Sequence, residues 1–219
     1  MIALHHRTRR FILRLGGAAA LSAFLRGAMA GAPPRPSGLY RLHGEVLVNG
    51  RRAGAGQPVA PGDTVVTGAG AEAVYIVGDC AFLQRESTTV RFGTDAAVEF
   101  MRVVSGRILS VFGRGDRRLT VATATIGIRG TACYIEDEGT RTYFCLCYGE
   151  ADIVPSAAPQ EREIIRTEHH DHPIYIHADP RMPKSMVPAT VANHSDEELV
   201  LLESLVGRVP PFGRRRTGY

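Results

Sequence analysis

From Leu39 to Pro155 apolar and polar residues alternate in short runs, and a turn residue closes most of them. The runs include "YRLHG", "EVLVNG", "DTVVTG", "AVYIVG", "TVRF", "GRILSVF", "LTVATATIGI", "ACYIE", "RTYFCLC" and "ADIVP", punctuated by Asn49-Gly50, Pro61-Gly62-Asp63 and Gly78-Asp79. A period of two sends successive side chains to opposite faces of a strand. Gly, Pro, Asn and Asp supply the backbone geometries that reverse the chain between strands. The pattern therefore predicts an all-β fold, with many short strands forming a sandwich or a solenoid-like β roll. One helix departs from it, over about residues 195–206. Ser195 opens a capping box with Glu198, Leu199, Leu202, Leu205 and Val206 form an apolar stripe, and Gly207 ends the run. That stripe is expected to pack on the sheet and close an open edge or end.

The first thirty residues read differently. Thr8-Arg9-Arg10-Phe11-Ile12-Leu13-Arg14 resembles the twin-arginine export motif, with Arg9 and Arg10 as its pair. The apolar run Leu15–Leu25 that follows falls short of the roughly 20 residues that span a bilayer. Ala28-Met29-Ala30 has the small-x-small form of a cleavage site. Residues 1–30 are thus expected to be a removable leader and the protein to be periplasmic, exported already folded. The mature chain would hold no membrane span. The formal charge of +4 then loses its meaning, because the leader holds Arg7, Arg9, Arg10, Arg14 and Arg26 and no acid. Without those five, the 26 Lys and Arg fall to 21, against 22 Asp and Glu. A near-neutral mature chain gives no reason to expect nucleic acid as a partner. The expected organisation is a leader (1–30), a Pro/Gly linker (31–38), a β domain (39–155) and a C-terminal extension (156–219).

Within the β domain, Gly44-x-Val46, Pro61-Gly62-Asp63-x-Val65-x-Thr67-Gly68 and Thr123-Ala124-Thr125-Ile126-Gly127-Ile128-Arg129-Gly130-Thr131 come in order. They resemble the FecR-type periplasmic domain, named for the regulator of ferric-citrate uptake, over about Gly44–Ile135. The resemblance implies an all-β exported module that binds or relays a signal and carries no catalytic residues. The family's regulator itself holds a sigma factor through a cytoplasmic segment followed by a membrane helix. Only a leader precedes Leu39 here, so sigma-factor control is not expected. Bottom up, Asp63 at its Pro-Gly-Asp corner suits a side chain that bonds back to turn amides. Arg129 is expected to be structural, in a buried pair with Asp63 or Asp79.

The resemblance ends before the residues with the most chemistry. Cys145 and Cys147 are two apart on a predicted strand and share a face. If Glu138-Gly139 is a two-residue loop, Cys133 falls opposite Phe144, which disfavours a Cys133–Cys145 bridge. Downstream lies "HHDH", residues 169–172. The proline after His172 favours extended backbone there, which would put His170 and His172 on one face and His169 on the other. Two such pairs brought together would form a Cys2His2 pocket suited to zinc, copper or iron. His194, beside the helix cap, is a further candidate. The same thiols could instead be small buried hydrophobes or a redox pair, the latter disfavoured because a Cys-x-Cys disulfide in a straight strand is strained.

No nucleophile elbow, phosphate-binding loop or dinucleotide fingerprint is present in the sequence. The expectation is a non-enzymatic protein that binds a metal ion or small ligand, or relays its presence to an envelope protein partner. A structural interaction module of the envelope without ligand is the alternative.

Overall fold

A computed structural model of the chain describes residues 34–96 and 99–212, all within the compact unit that begins at Pro34. The predicted leader, including Arg9 and Arg10, lies outside the described residues. The strands are β1 (Gly38–His43), β2 (Val46–Val48), β3 (Arg51–Arg52), β4 (Thr64–Thr67), β5 (Glu72–Val77), β6 (Cys80–Gln84) and β7 (Thr88–Phe92). They continue with β8 (Met101–Val111), β9 (Asp116–Thr120), β10 (Ala124–Asp137), β11 (Arg141–Pro155), β12 (Glu163–Thr167), β13 (Ile174–His177) and β14 (Met186–Pro188). The helix α1 spans Asp196–Leu205. The all-β expectation with one C-terminal helix holds. Among the described residues, no helix is long and apolar enough to cross a membrane.

All fourteen strands belong to one hydrogen-bonded sheet, whose main path runs β14-β13-β11-β10-β9-β8-β7-β4-β2-β3. A branch, β1-β5-β6, joins through β8, and β12 pairs with β11. Every pairing is antiparallel except β8 with β9. The long strands change partner along their length. The first half of β10 pairs with β9 and the second half with β8. The change comes at the irregularity between Arg129 and Ala132, where Gly130 takes a φ of +56°. A bulge of this kind bends a strand and raises its twist. The Arg129-Gly130-Thr131 sequence is therefore the corner of the fold. Across it the Thr131 hydroxyl donates to the Tyr148 carbonyl. Gly149 leaves no room for a side chain, since a Cβ there would sit 2.7 Å from Thr131 Oγ1.

Arg129 itself does not form the buried pair expected of it. Its side chain is largely exposed, with Asp116 3.5 Å away. Asp79 pairs with Arg117 instead, at 2.5 Å. Asp63 behaves as a turn residue should: its carboxylate accepts from the Ala60 amide at 2.8 Å.

Because strand side chains alternate, the sheet has two apolar layers. One is the interior, built on Tyr75, Phe82, Phe92, Ile108, Ile135, Phe144 and Leu146. The other lies on the opposite face of β5, β6, β8, β10 and β11, where Val74, Ile76, Leu83, Leu109, Tyr134 and Cys145 meet Leu199, Leu202, Leu205 and Val206 of the helix segment. The helix thus covers a face of the sheet rather than an edge. Its capping box forms as read, with Ser195 accepting from the Glu198 amide and Glu198 accepting from the Ser195 amide.

The β10–β11 hairpin corrects the predicted register. Asp137 pairs with Thr142 and the Glu138 amide donates to the Arg141 carbonyl at 3.0 Å, so the turn falls at Gly139-Thr140, one residue later than predicted. Asp137 stabilises it by accepting from the Gly139 amide at 2.8 Å, while Gly139 takes a φ of +82°. Cys133 therefore stands opposite Leu146, and Tyr134 opposite Cys145. The shift is an even number of residues, so face assignment survives it. Cys133 points into the interior, Cys145 and Cys147 point towards α1, and all four cysteines are free and buried.

Candidate metal centre

β11 supplies the floor of the site. Tyr143, Cys145 and Cys147 alternate with Phe144 and Leu146, and both faces of the strand are buried. A run apolar on both faces is what a doubly covered strand requires. Two segments then bring histidines over the thiols. The first is the β12–β13 connection. There the Asp171 carboxylate accepts from Thr167 Oγ1 and from the Glu168 and His169 amides. These bonds wind the chain into a turn, and His170 adopts a φ of +52°. Its amide donates to the Cys147 carbonyl at 3.0 Å, which fixes the turn against β11. The second segment leads from β14 into α1. Tyr143 Oη donates to the Thr190 carbonyl and accepts from the Ala192 amide. His194 stacks on Tyr134 with ring centroids 4.7 Å apart.

The result is a convergence of four donors. One atom each from Cys145, Cys147, His170 and His194 lies within 4.8 Å of all the others. Cys145 Sγ is 3.5 Å from His170 Nδ1, and His170 Nδ1 is 3.1 Å from His194 Nε2. Tetrahedral coordination at zinc-type bond lengths separates two nitrogens by about 3.3 Å and a sulfur from a nitrogen by about 3.5 Å. The donor spacing fits one such ion.

The imidazoles are also oriented for it. His194 Nδ1 donates to the Ala192 carbonyl at 2.7 Å, since a carbonyl can only accept. His170 Nε2 points at Asp196 Oδ1 at 3.2 Å, and that carboxylate likewise accepts. In the neutral rings, the bare lone pairs are then those of His170 Nδ1 and His194 Nε2, and they face each other. A carboxylate or carbonyl fixing the far nitrogen is the usual support of a metal-bound histidine.

Electrostatics point the same way. The hydrogen bond from Cys147, with His170 and His194 nearby, outweighs burial and draws the Cys145 thiol down to about 3. Burial, then the Cys145 charge, pushes Cys147 well above the ordinary thiol value. Burial opposes a charge on His170, but the Cys145 sulfur and Asp196 raise its pKa nonetheless. The direction of the Cys145 shift favours the thiolate, the form that binds a metal.

Of the six sequence candidates, the structure brings four together and leaves two outside. His169 lies on the solvent side, with Nε2 2.9 Å from both Asp196 oxygens. His172 is mostly exposed, 3.9 Å from Glu163 Oε1. The expected His170–His172 pair fails because the Asp171 turn replaces extended backbone, and His194 stands where His172 was expected. Asp196 went unread as a site residue. Its signal was its place one residue past the helix cap and two past His194.

No family model matches the chain, and no curated protein matches it. Two crystal structures of a candidate anti-sigma factor from Parabacteroides distasonis align with it in part, with TM-scores of 0.47 and 0.45, each at 10% identity. Each alignment covers 58% of this chain and 59% of the other, so the chain spans less than two thirds of those proteins.

Proposed function

We propose that this is a non-enzymatic, exported protein whose FecR-like β platform holds one transition-metal ion between Cys145, Cys147, His170 and His194. The observation that carries the reading is the convergence of those four donor atoms within 4.8 Å. Two thiolates and two neutral imidazoles cancel the charge of a zinc(II) ion to zero, which suits a buried centre. Four protein donors leave no open position for a substrate, so the ion is structural or sensory rather than catalytic. Zinc is the preferred metal on these grounds, with copper and iron as competitors for the same soft and borderline donors.

Export by the twin-arginine route fits such a centre. A chain that folds in a reducing compartment can acquire its metal before its thiols meet an oxidant. The Arg129-Gly130-Thr131 bulge and the Asp63 turn support the FecR-like reading of the platform, since both motifs stand at corners of the sheet. The second reading is a ligand-free envelope interaction module, favoured by the apolar layer around Cys145 and Cys147.

The test is metal analysis by mass spectrometry of protein purified without chelators, followed by reconstitution. The proposal expects one ion per chain and none after Cys145→Ser with Cys147→Ser. A folded wild-type protein that takes up neither zinc, copper nor iron would falsify it. Fractionation of cells producing the full chain tests export, expected to fail with Arg9→Lys and Arg10→Lys.

A further inference from the structure

The ligands of this centre come from three separate stretches of chain. Cys145 and Cys147 belong to the sheet. His170 lies 25 residues beyond Cys145, and His194 a further 24 beyond that. His194 leads directly into α1, and Asp196, the first residue of that helix, holds His170. We propose that metal occupancy clasps the N-terminal half of α1, with residues 189–195, onto the sheet, and that Asp196 is the positioning residue that joins helix and ion. This rests on the metal reading above and adds what the ion controls.

The two ends of the helix are held differently. The C-terminal end has its own anchors. Leu202, Leu205 and Val206 are buried, and Glu203 is almost wholly enclosed, accepting from Tyr148 Oη and from Arg208 Nε. The Leu205 carbonyl also accepts from the Arg35 amide at 3.0 Å. The N-terminal end has no buried apolar side chain before Leu199. Its ties are polar: Arg85 to Glu198 at 2.6 Å, Asn193 to Glu136 at 2.7 Å, and Asp196 to His170 at 3.2 Å and to His169 at 2.9 Å. The preceding stretch holds to its neighbours through Tyr143, through His194 and through the Ala189 amide, which donates to the Pro173 carbonyl at 2.9 Å.

Under this end two ring nitrogens face each other at 3.1 Å beside two sulfurs, within reach of one shared cation. A cation there forms a cross-link between β11, the β12–β13 turn and the approach to α1. Its removal takes that cross-link from the least anchored part of the layer. Local opening follows the weakest contacts, so the opening runs through residues 189–199 and stops at Leu202. The charge network at Glu203 does not involve the ion and stays closed.

Hydrogen exchange followed by mass spectrometry on the purified full chain, zinc-loaded and after chelation, reads this directly. The expected result is exchange at least tenfold faster over residues 189–199 on zinc removal, with β8 and β10 unchanged. Asp196→Ala at saturating zinc is expected to exchange over 196–199 like the metal-free protein while still holding one ion. Glu197→Ala, an exposed acid in the same turn, is expected to behave as wild type. Equal protection with and without bound zinc would overturn the clasp and leave the metal site standing. An Asp196→Ala protein that carries zinc and is fully protected would remove Asp196 from the coupling. A wild-type chain that binds no zinc would end both this inference and the reading beneath it.

Discussion

His170 Nδ1 and His194 Nε2 face each other at 3.1 Å, while the other nitrogen of each ring is held by an oxygen. Neither ring in its neutral form has a proton left to share across that gap. The relation is local and geometric, yet it joins residues 24 apart in sequence. It makes the histidines of this chain unequal, and the inequality can be measured.

His170→Ala is expected to abolish retention of zinc through gel filtration, and His172→Ala to leave it within about twofold of wild type, since His172 is outside the cluster. Asp196→Asn should weaken binding by roughly 10–100-fold, the usual loss when a carboxylate behind a metal-bound histidine is replaced. Competition with a chromophoric chelator gives all three values. Zinc lost equally from His172→Ala and His170→Ala would refute the assignment.

Zinc uptake is expected to release protons. The Cys147 thiol is raised by burial and by Cys145, and the His170 pKa is raised by Cys145 and Asp196. Both therefore carry protons at neutral pH more readily than free side chains, and both must lose them to bind. The sign follows: affinity strengthens as pH rises, by about tenfold per unit for each proton displaced. Titration calorimetry in buffers of different ionisation enthalpy counts the protons. Binding that is flat or weaker with rising pH contradicts the ligand set.

Arg208→Ala is expected to destabilise the fold by about 2–4 kcal/mol. Glu203 is 3% exposed, and Arg208 Nε lies 2.5 Å from its Oε2. Removing the cation leaves a buried carboxylate with only the Tyr148 hydroxyl, and breaking one side of a buried pair costs on that order. Urea unfolding with zinc kept saturating isolates the effect. A loss below about 1 kcal/mol would mean that water reaches Glu203 and shields it.

Gly149→Ala and Gly139→Ala should differ widely. Both glycines have positive φ, +102° and +82°. Gly139 has open space where a Cβ would go, so alanine there costs only the roughly 1–2 kcal/mol of the left-handed conformation. At Gly149 the Cβ also meets Thr131 Oγ1 at 2.7 Å and Thr131 Cα at 3.0 Å, which loosens the corner between β10 and β11. Thermal unfolding should rank Gly149→Ala far below Gly139→Ala. Similar midpoints would show that the bulge shifts without strain.

Much of the architecture was legible in residue order. The period-two runs marked strands, Ser195 and Gly207 marked the helix, and the alternation along "RTYFCLC" placed Cys145 and Cys147 on one face. These are local properties, set by backbone geometry and by neighbours a few residues away. The hairpin register was misread because the chain reverses one residue later, at Gly139-Thr140, where the Asp137 carboxylate accepts from the Gly139 amide. The error was even, so the faces came out right and only the partners moved. Arg129 was misread because its burial depends on where the bulge turns β10, which its neighbours in sequence do not state.

The candidate site divides along the same line. The sequence by itself determined that two thiols share one strand face and that histidines crowd a short connection, because a strand alternates whatever surrounds it. Which histidines meet the thiols was decided by tertiary structure. The Asp171 turn rotates His170 inward and leaves His172 near Glu163, and the packing of α1 over β11 carries His194 and Asp196 to the same point. Convergence of this kind depends on contacts between segments distant in the chain, and no periodicity within a segment encodes it.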